Sequence, residues 1–109
     1  MQAIENMTPA QFDERLKGAR LLPFVIECYG NQCASCAVME RLLTQMMAAS
    51  ELSTPVFKLN VDEHPEFAKR FGVRGLPTLI GVKADASTTS LLAMPNRSVV
   101  GQFFRSLCA

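Results

Sequence analysis

The sequence predicts an α/β protein, a mixed β-sheet flanked by helices. Hydrophobic periodicity switches several times between the helical and the strand type along the chain. Two short apolar runs, Leu21 to Tyr29 and Val56 to Val61, read as strands buried on both faces. The stretches between them carry helix start and stop signals of their own. The 109 residues suit one domain, 1–109, without repeats or linker segments. A chain of this size buries a little over about 60% of its unfolded surface on folding, so a core forms without disulfide staples.

Each element follows from local chemistry. Thr8 is a good N-cap, Pro9 suits the first helical turn and Gln11 completes a capping box, with Phe12, Leu16 and Ala19 on the apolar face and Gly18 as the stop. Leu21 to Tyr29 is a central strand interrupted by one acid, Glu27. Gly30-Asn31-Gln32 forms a loop, and a helix is expected from about Cys33 to Ser50 with Val38, Met39, Leu42, Leu43, Met46 and Met47 on its buried face. Val56 to Val61 is the second strand, and Pro65 to Phe71 a short helix closed by Gly72. Thr78 to Val82 is a third strand, introduced by Gly75-Leu76-Pro77, and Thr88 to Ala93 a weaker fourth. Asn96 caps a final helix whose Val99, Val100, Phe103, Phe104 and Leu107 face inward. A short strand near Ala3 completes the layout.

Composition excludes several function classes. Apolar residues make up 49% and charged ones 19%, with a formal net charge of +1, so nothing is built for nucleic acid or an anionic membrane. No stretch is apolar enough for a membrane span, and the N-terminal residues lack the basic and apolar regions of a secretory signal, from which a cytoplasmic location is expected. In a reducing compartment a close cysteine pair is more often catalytic or metal-binding than structural.

Cys33-Ala34-Ser35-Cys36 is such a pair, set between a buried strand and a helix start. Two intervening residues in a first helical turn bring the sulfurs within disulfide reach. The first sulfur then meets unpaired backbone N–H groups and the positive end of the helix dipole, which favour the nucleophilic thiolate. The dipole contributes only ~0.3–1 kcal/mol at an exposed site, so hydrogen bonds must supply the rest. Half of a zinc site, completed from Cys28, Cys108 and His64, and two unreactive core cysteines are the competing readings.

The stretch from Val61-Asp62 through His64-Pro65 and Phe71-Gly72-Val73-Arg74 to Gly75-Leu76-Pro77-Thr78-Leu79 resembles the second half of bacterial thioredoxins. With the CxxC, the likeness covers about Met7 to Leu107. It implies a thioredoxin fold, a central mixed sheet of four to five strands with about four helices. It also implies thiol–disulfide exchange in which Cys33 is the nucleophile and Cys36 the resolving cysteine. Pro77 matches the family's cis-proline, which shapes the substrate groove, and the backbone of Leu76 would pair with an extended substrate segment. Glu27 stands where thioredoxins carry a buried aspartate, and would accept a proton from Cys36. Lys58 matches a lysine that moderates this acid. Gln32, Gly75, Leu76, Pro77 and Met94 are the expected substrate-facing residues. The family uses disulfide-containing protein substrates and, as reductant, an NADPH-dependent flavoprotein, thioredoxin reductase. The chain itself is expected to act as a monomer without bound cofactor or metal.

The active-site segment departs from the family's Trp-Cys-Gly-Pro-Cys-Lys. It reads Gln32-Cys33-Ala34-Ser35-Cys36-Ala37, with Tyr29 in place of the tryptophan of the preceding strand. Losing the proline restores an N–H able to stabilise the Cys33 thiolate, which points to a more oxidising protein. Ala93 replaces the glycine usual in the last substrate-facing loop. A general disulfide reductase is therefore the first functional reading. A specialised oxidant, isomerase or partner-specific exchanger is the second, and a redox-silent binding module the third. A glutaredoxin would need a glutathione-binding glycine-rich segment, which is missing between Leu79 and Ala93.

Overall fold

The computed structural model describes residues 3–18, 20–92 and 94–108. Among these, the order is β1 (Glu5–Asn6), α1 (Pro9–Leu16), β2 (Phe24–Tyr29), α2 (Ala34–Ala48), β3 (Val56–Asn60), α3 (Pro65–Phe71), β4 (Thr78–Val82), β5 (Thr88–Leu92) and α4 (Arg97–Ser106). The sheet runs β1-β3-β2-β4-β5. β3 is parallel to both β1 and β2, whereas β4 is antiparallel to β2 and to β5. β2 thus lies in the middle, which accounts for its near-continuous apolar sequence.

Local signals act as expected at most element ends. The Gln11 N–H donates to Thr8 Oγ1 at 3.1 Å and the Thr8 N–H to Gln11 Oε1 at 2.9 Å, a reciprocal capping box. Asn96 Oδ1 accepts the Val99 N–H and starts α4. Gly72 closes α3 at φ 66°, a left-handed conformation with little cost for glycine.

Several bounds shift for identifiable reasons. α1 ends at Leu16 with Lys17 as its C-cap, one residue ahead of Gly18, and Ala19 lies outside the described residues. β2 begins at Phe24 rather than Leu21, because Pro23 has no N–H for the ladder and Leu22 is exposed. β3 stops at Asn60, whose side-chain oxygen accepts the N–H groups of Asp62 and Glu63 and turns the chain out of the sheet. β5 is described to Leu92; Ala93, expected at its end and in the substrate-facing loop, lies outside the described residues. The first strand falls at Glu5–Asn6, just past Ala3.

Strand alternation sorts β2 side chains to two faces. Phe24, Ile26 and Cys28 meet Phe12 and Phe67 from α1 and α3. Val25 meets Met39, Leu43 and Met46 of α2 and Val100 and Phe104 of α4. The apolar stripes on the latter helices are narrower than their sequences suggest, since Val38 and Val99 are 45% and 40% exposed. Phe12 organises the first face, edge-on to Phe24, Phe67 and Phe71 with ring centroids 5.6, 5.2 and 5.3 Å away. Phe12→Ala is accordingly expected to destabilise the fold by about 3–5 kcal/mol, read as a lower denaturant midpoint at unchanged slope.

Candidate active site

The two cysteines sit where the central strand hands over to α2. Cys33 lies outside the helix as its N-cap, with extended backbone at φ −134°, and its Sγ accepts the Cys36 N–H at 3.2 Å. The expected helix from Cys33 to Ser50 is thus Ala34–Ala48, with the sulfur itself as the cap. Serine, threonine, asparagine and aspartate usually fill this role, because the first N–H groups of a helix have no partner inside it. Cys33 and Cys36 are joined as a disulfide with Cα atoms 5.2 Å apart. Cys33 is partly exposed, whereas Cys36 is buried in the first turn. Ser35 Oγ lies 3.5 Å from Cys33 Sγ.

Three loops converge around this junction. The Asn31 N–H donates to Asp62 Oδ2 at 2.7 Å, and the Asn60 side-chain amide donates to Asn31 Oδ1 at 2.8 Å. The segment before Cys33 is thereby tied to the end of β3. Gly30 permits the approach, because a Cβ there would stand 2.8 Å from Asp62 Oδ2 and 3.0 Å from Leu76 Cδ1. The Leu76–Pro77 peptide is cis. Gly75 lies under Leu92, whose Cδ1 would meet an added Cβ at 3.1 Å.

Glu27 is fully buried on the α2 side of the sheet, and neither carboxyl oxygen has a hydrogen-bond partner. Burial pushes its pKa up to about 8, helped by the negative charge of Glu40 and opposed by Lys58. Lys58 is its register partner on β3, yet the Lys58 Nζ donates to Glu40 Oε1 at 3.0 Å. Cys28 points to the other face, into the core between the sheet and α1 and α3. Burial, with the Glu27 charge adding to it, raises the Cys28 thiol to about 12.

The structure brings Cys33, Cys36, Gly75, Leu76 and Pro77 to one end of the sheet, with Glu27 and Lys58 beneath α2. Gln32 is exposed beside Cys33. Met94 is 80% exposed, past the end of β5. His64 precedes α3 without a capping bond from its side chain, and its Nδ1 faces Glu66 Oε1 at 3.5 Å. Sequence reading missed Asn31, Asn60, Asp62 and Glu40. For Glu40 the signal was present, because it stands one helical turn beyond Cys36. Asn60 has a local turn role as well, but the pairings that tie Asn31 to Asn60 and Asp62 are distant in sequence and left no local signal.

Glu27 makes stability depend on pH with a definite sign. Between the ordinary carboxyl value of 4.5 and about 8 the unfolded chain has released this proton and the folded chain holds it, so stability falls as pH rises. The wild-type oxidised protein is expected to lose up to about 1.4 kcal/mol per pH unit within this window from Glu27 alone. In Glu27→Gln that slope disappears, as urea unfolding at stepped pH can read.

The thioredoxin family model matches residues 3–108. Thioredoxin from Alicyclobacillus acidocaldarius subsp. acidocaldarius is 31% identical over 90 residues, covering 83% of this chain and 84% of that protein. The chloroplastic thioredoxin-like protein CITRX of Solanum tuberosum is 30% identical over 88 residues, 81% of this chain. The chain spans about half the length of the CITRX proteins it matches, 50% in this case. Among solved structures, mitochondrial thioredoxin 3 from Saccharomyces cerevisiae in its oxidised form superposes with a TM-score of 0.78 at 25% identity, covering 95% of each chain. Chloroplastic thioredoxin z reaches 0.80 at 17% identity over 98% of this chain and 96% of that one, a likeness of fold. With its sheet order, its cysteine pair at the start of α2 and a family match over nearly its whole length, the chain belongs to the thioredoxin family.

Proposed function

We propose that this chain is a thiol–disulfide oxidoreductase that reduces protein disulfides through Cys33 and Cys36. The observation that carries the reading is the Cys36 N–H directed at Cys33 Sγ at the start of α2. A hydrogen bond and a helix terminus acting on one sulfur favour its thiolate, and the partial exposure of Cys33 gives a substrate access to it.

In the first step the Cys33 thiolate attacks one sulfur of a substrate disulfide. That S–S bond breaks, the leaving sulfur takes up a proton, and a mixed disulfide remains. In the second, the Cys36 thiol gives its proton, relayed by a water, to the Glu27 carboxylate and attacks Cys33 Sγ, releasing the second substrate thiolate. Two electrons pass to the substrate and the Cys33–Cys36 disulfide forms. Glu27 suits this role because its pKa of about 8 lies near the working pH. An extended substrate strand would pair with the backbone at Leu76, and Gln32, Gly75, Pro77 and Met94 would border it. An NADPH-dependent flavoprotein reductase would return the enzyme to the dithiol.

Ser35 favours the second reading, a more oxidising or partner-specific exchanger. Its hydroxyl is within reach of Cys33 Sγ, and a residue other than proline in this place leaves a backbone N–H available. Both stabilise the reduced form, and about 30 mV of potential accompanies each tenfold change in the equilibrium.

Reduction of insulin by dithiothreitol separates the readings. The wild type is expected to accelerate it, Cys33→Ser to abolish the acceleration, and Cys36→Ser to trap a mixed disulfide with substrate. No acceleration by the wild type would sink the general-reductase reading. Equilibration against glutathione buffers would then rank the protein as reductant or oxidant.

A further inference from the structure

Glu27 and Lys58 face each other across two parallel strands. As register partners they project to the same face of the sheet, and the strands that carry them lie about 4.8 Å apart. A lysine so placed would ordinarily pair with the carboxylate beside it. Here its ammonium is turned to Glu40 at 3.0 Å, while both Glu27 oxygens stay buried and unpartnered. Glu40 reaches Lys58 because it stands one turn beyond Cys36 on α2, over the same face.

We propose that Glu40 is a positioning residue for proton transfer at the active site: by engaging the Lys58 ammonium at 3.0 Å it holds that charge away from the Glu27 carboxyl and so tunes how readily the carboxyl takes up a proton. The proposal rests on the reading of Glu27 as the proton acceptor and adds a residue that sets its proton affinity. The groups facing Glu27 can be named from each element packed there. On β3 it is Lys58, and on α2 Cys36 and Glu40. Opposite Glu27, β4 presents Leu79, which does not titrate, and on β2 itself Tyr29, two residues on and on the same face, has its ring centroid 5.5 Å from the Lys58 Nζ. Burial sets the proton affinity of Glu27 first, and the Lys58 ammonium is the positive charge placed to offset it. The shift of the Glu27 pKa to about 8, to which Glu40 contributes upward and Lys58 downward, agrees with that arrangement.

Glu40 and Lys58 are both partly exposed, so their ion pair contributes little to stability and Glu40→Gln should fold. The consequence of that change is electrostatic. Lys58, released, would swing to its strand neighbour and stabilise the carboxylate.

The test is the titration of the Glu27 side-chain carboxyl by carbon-detected NMR on the oxidised full chain. It compares wild type, Glu40→Gln, Lys58→Met and the double variant. Glu40→Gln is expected to move the Glu27 midpoint to lower pH by about one pH unit, a tenfold loss of proton affinity. In the Lys58→Met background the same change is expected to move it much less. An unmoved midpoint in Glu40→Gln, or an equal displacement with and without Lys58, would overturn the proposal. The pH profile of disulfide reduction is read on the same proteins. If the midpoint moves while the acid limb of the profile does not, the role of Glu27 as proton acceptor fails and the control of Lys58 by Glu40 stands.

Discussion

The hydrogen bond from the Cys36 N–H to Cys33 Sγ is the constraint around which this end of the molecule is arranged. A helix that begins directly after a buried central strand needs a cap, since its first N–H groups have no partner of their own. In this chain the cap is a sulfur. Helix initiation and the exposure of that sulfur to a positive field are therefore one contact. Cys36 follows from it, because the residue three positions after a cap falls in the first turn and here faces inward. The loop before the cap is held in turn by Asp62 and Asn60, so β3 helps to fix where the sulfur stands.

The second feature is a local contradiction within the core. β2 is apolar on both faces except for Glu27, an unpartnered carboxyl that burial drives toward its neutral form. A leucine would suit stability there better at neutral pH and above. Polar groups that cost stability inside a strand mark chemistry more often than packing, and this one lies on the face that α2 covers. Burial sets its proton affinity first, and charges at the rim adjust it. Lys58 and Glu40 are those charges, and they are held against each other.

Much of this was legible in the sequence where the signals are local. The Thr8 and Gln11 capping box, the stop at Gly72, the apolar run of the central strand and the cysteine spacing each act within a few residues and read correctly. The misplacements at Val38 and Val99 share a cause, since apolar character does not say how wide a buried stripe will be. Contacts distant along the chain were not legible. Nothing local to Asn31 shows that its loop will meet Asp62, and nothing local to Lys58 shows that it will choose Glu40 over Glu27. That choice depends on where α2 lies over the sheet, a product of the whole core.

Competitive alkylation tests most directly whether the capping contact activates the sulfur. The reduced protein is treated with limiting iodoacetamide at pH 6, and the order of labelling is mapped by mass spectrometry. Cys108 serves as the internal reference, an exposed thiol near the chain end, and Cys28 as a buried one. The account predicts that Cys33 is labelled first, well ahead of the more accessible Cys108, with Cys36 and Cys28 last. Labelling of Cys108 as fast as Cys33, or faster, would contradict it.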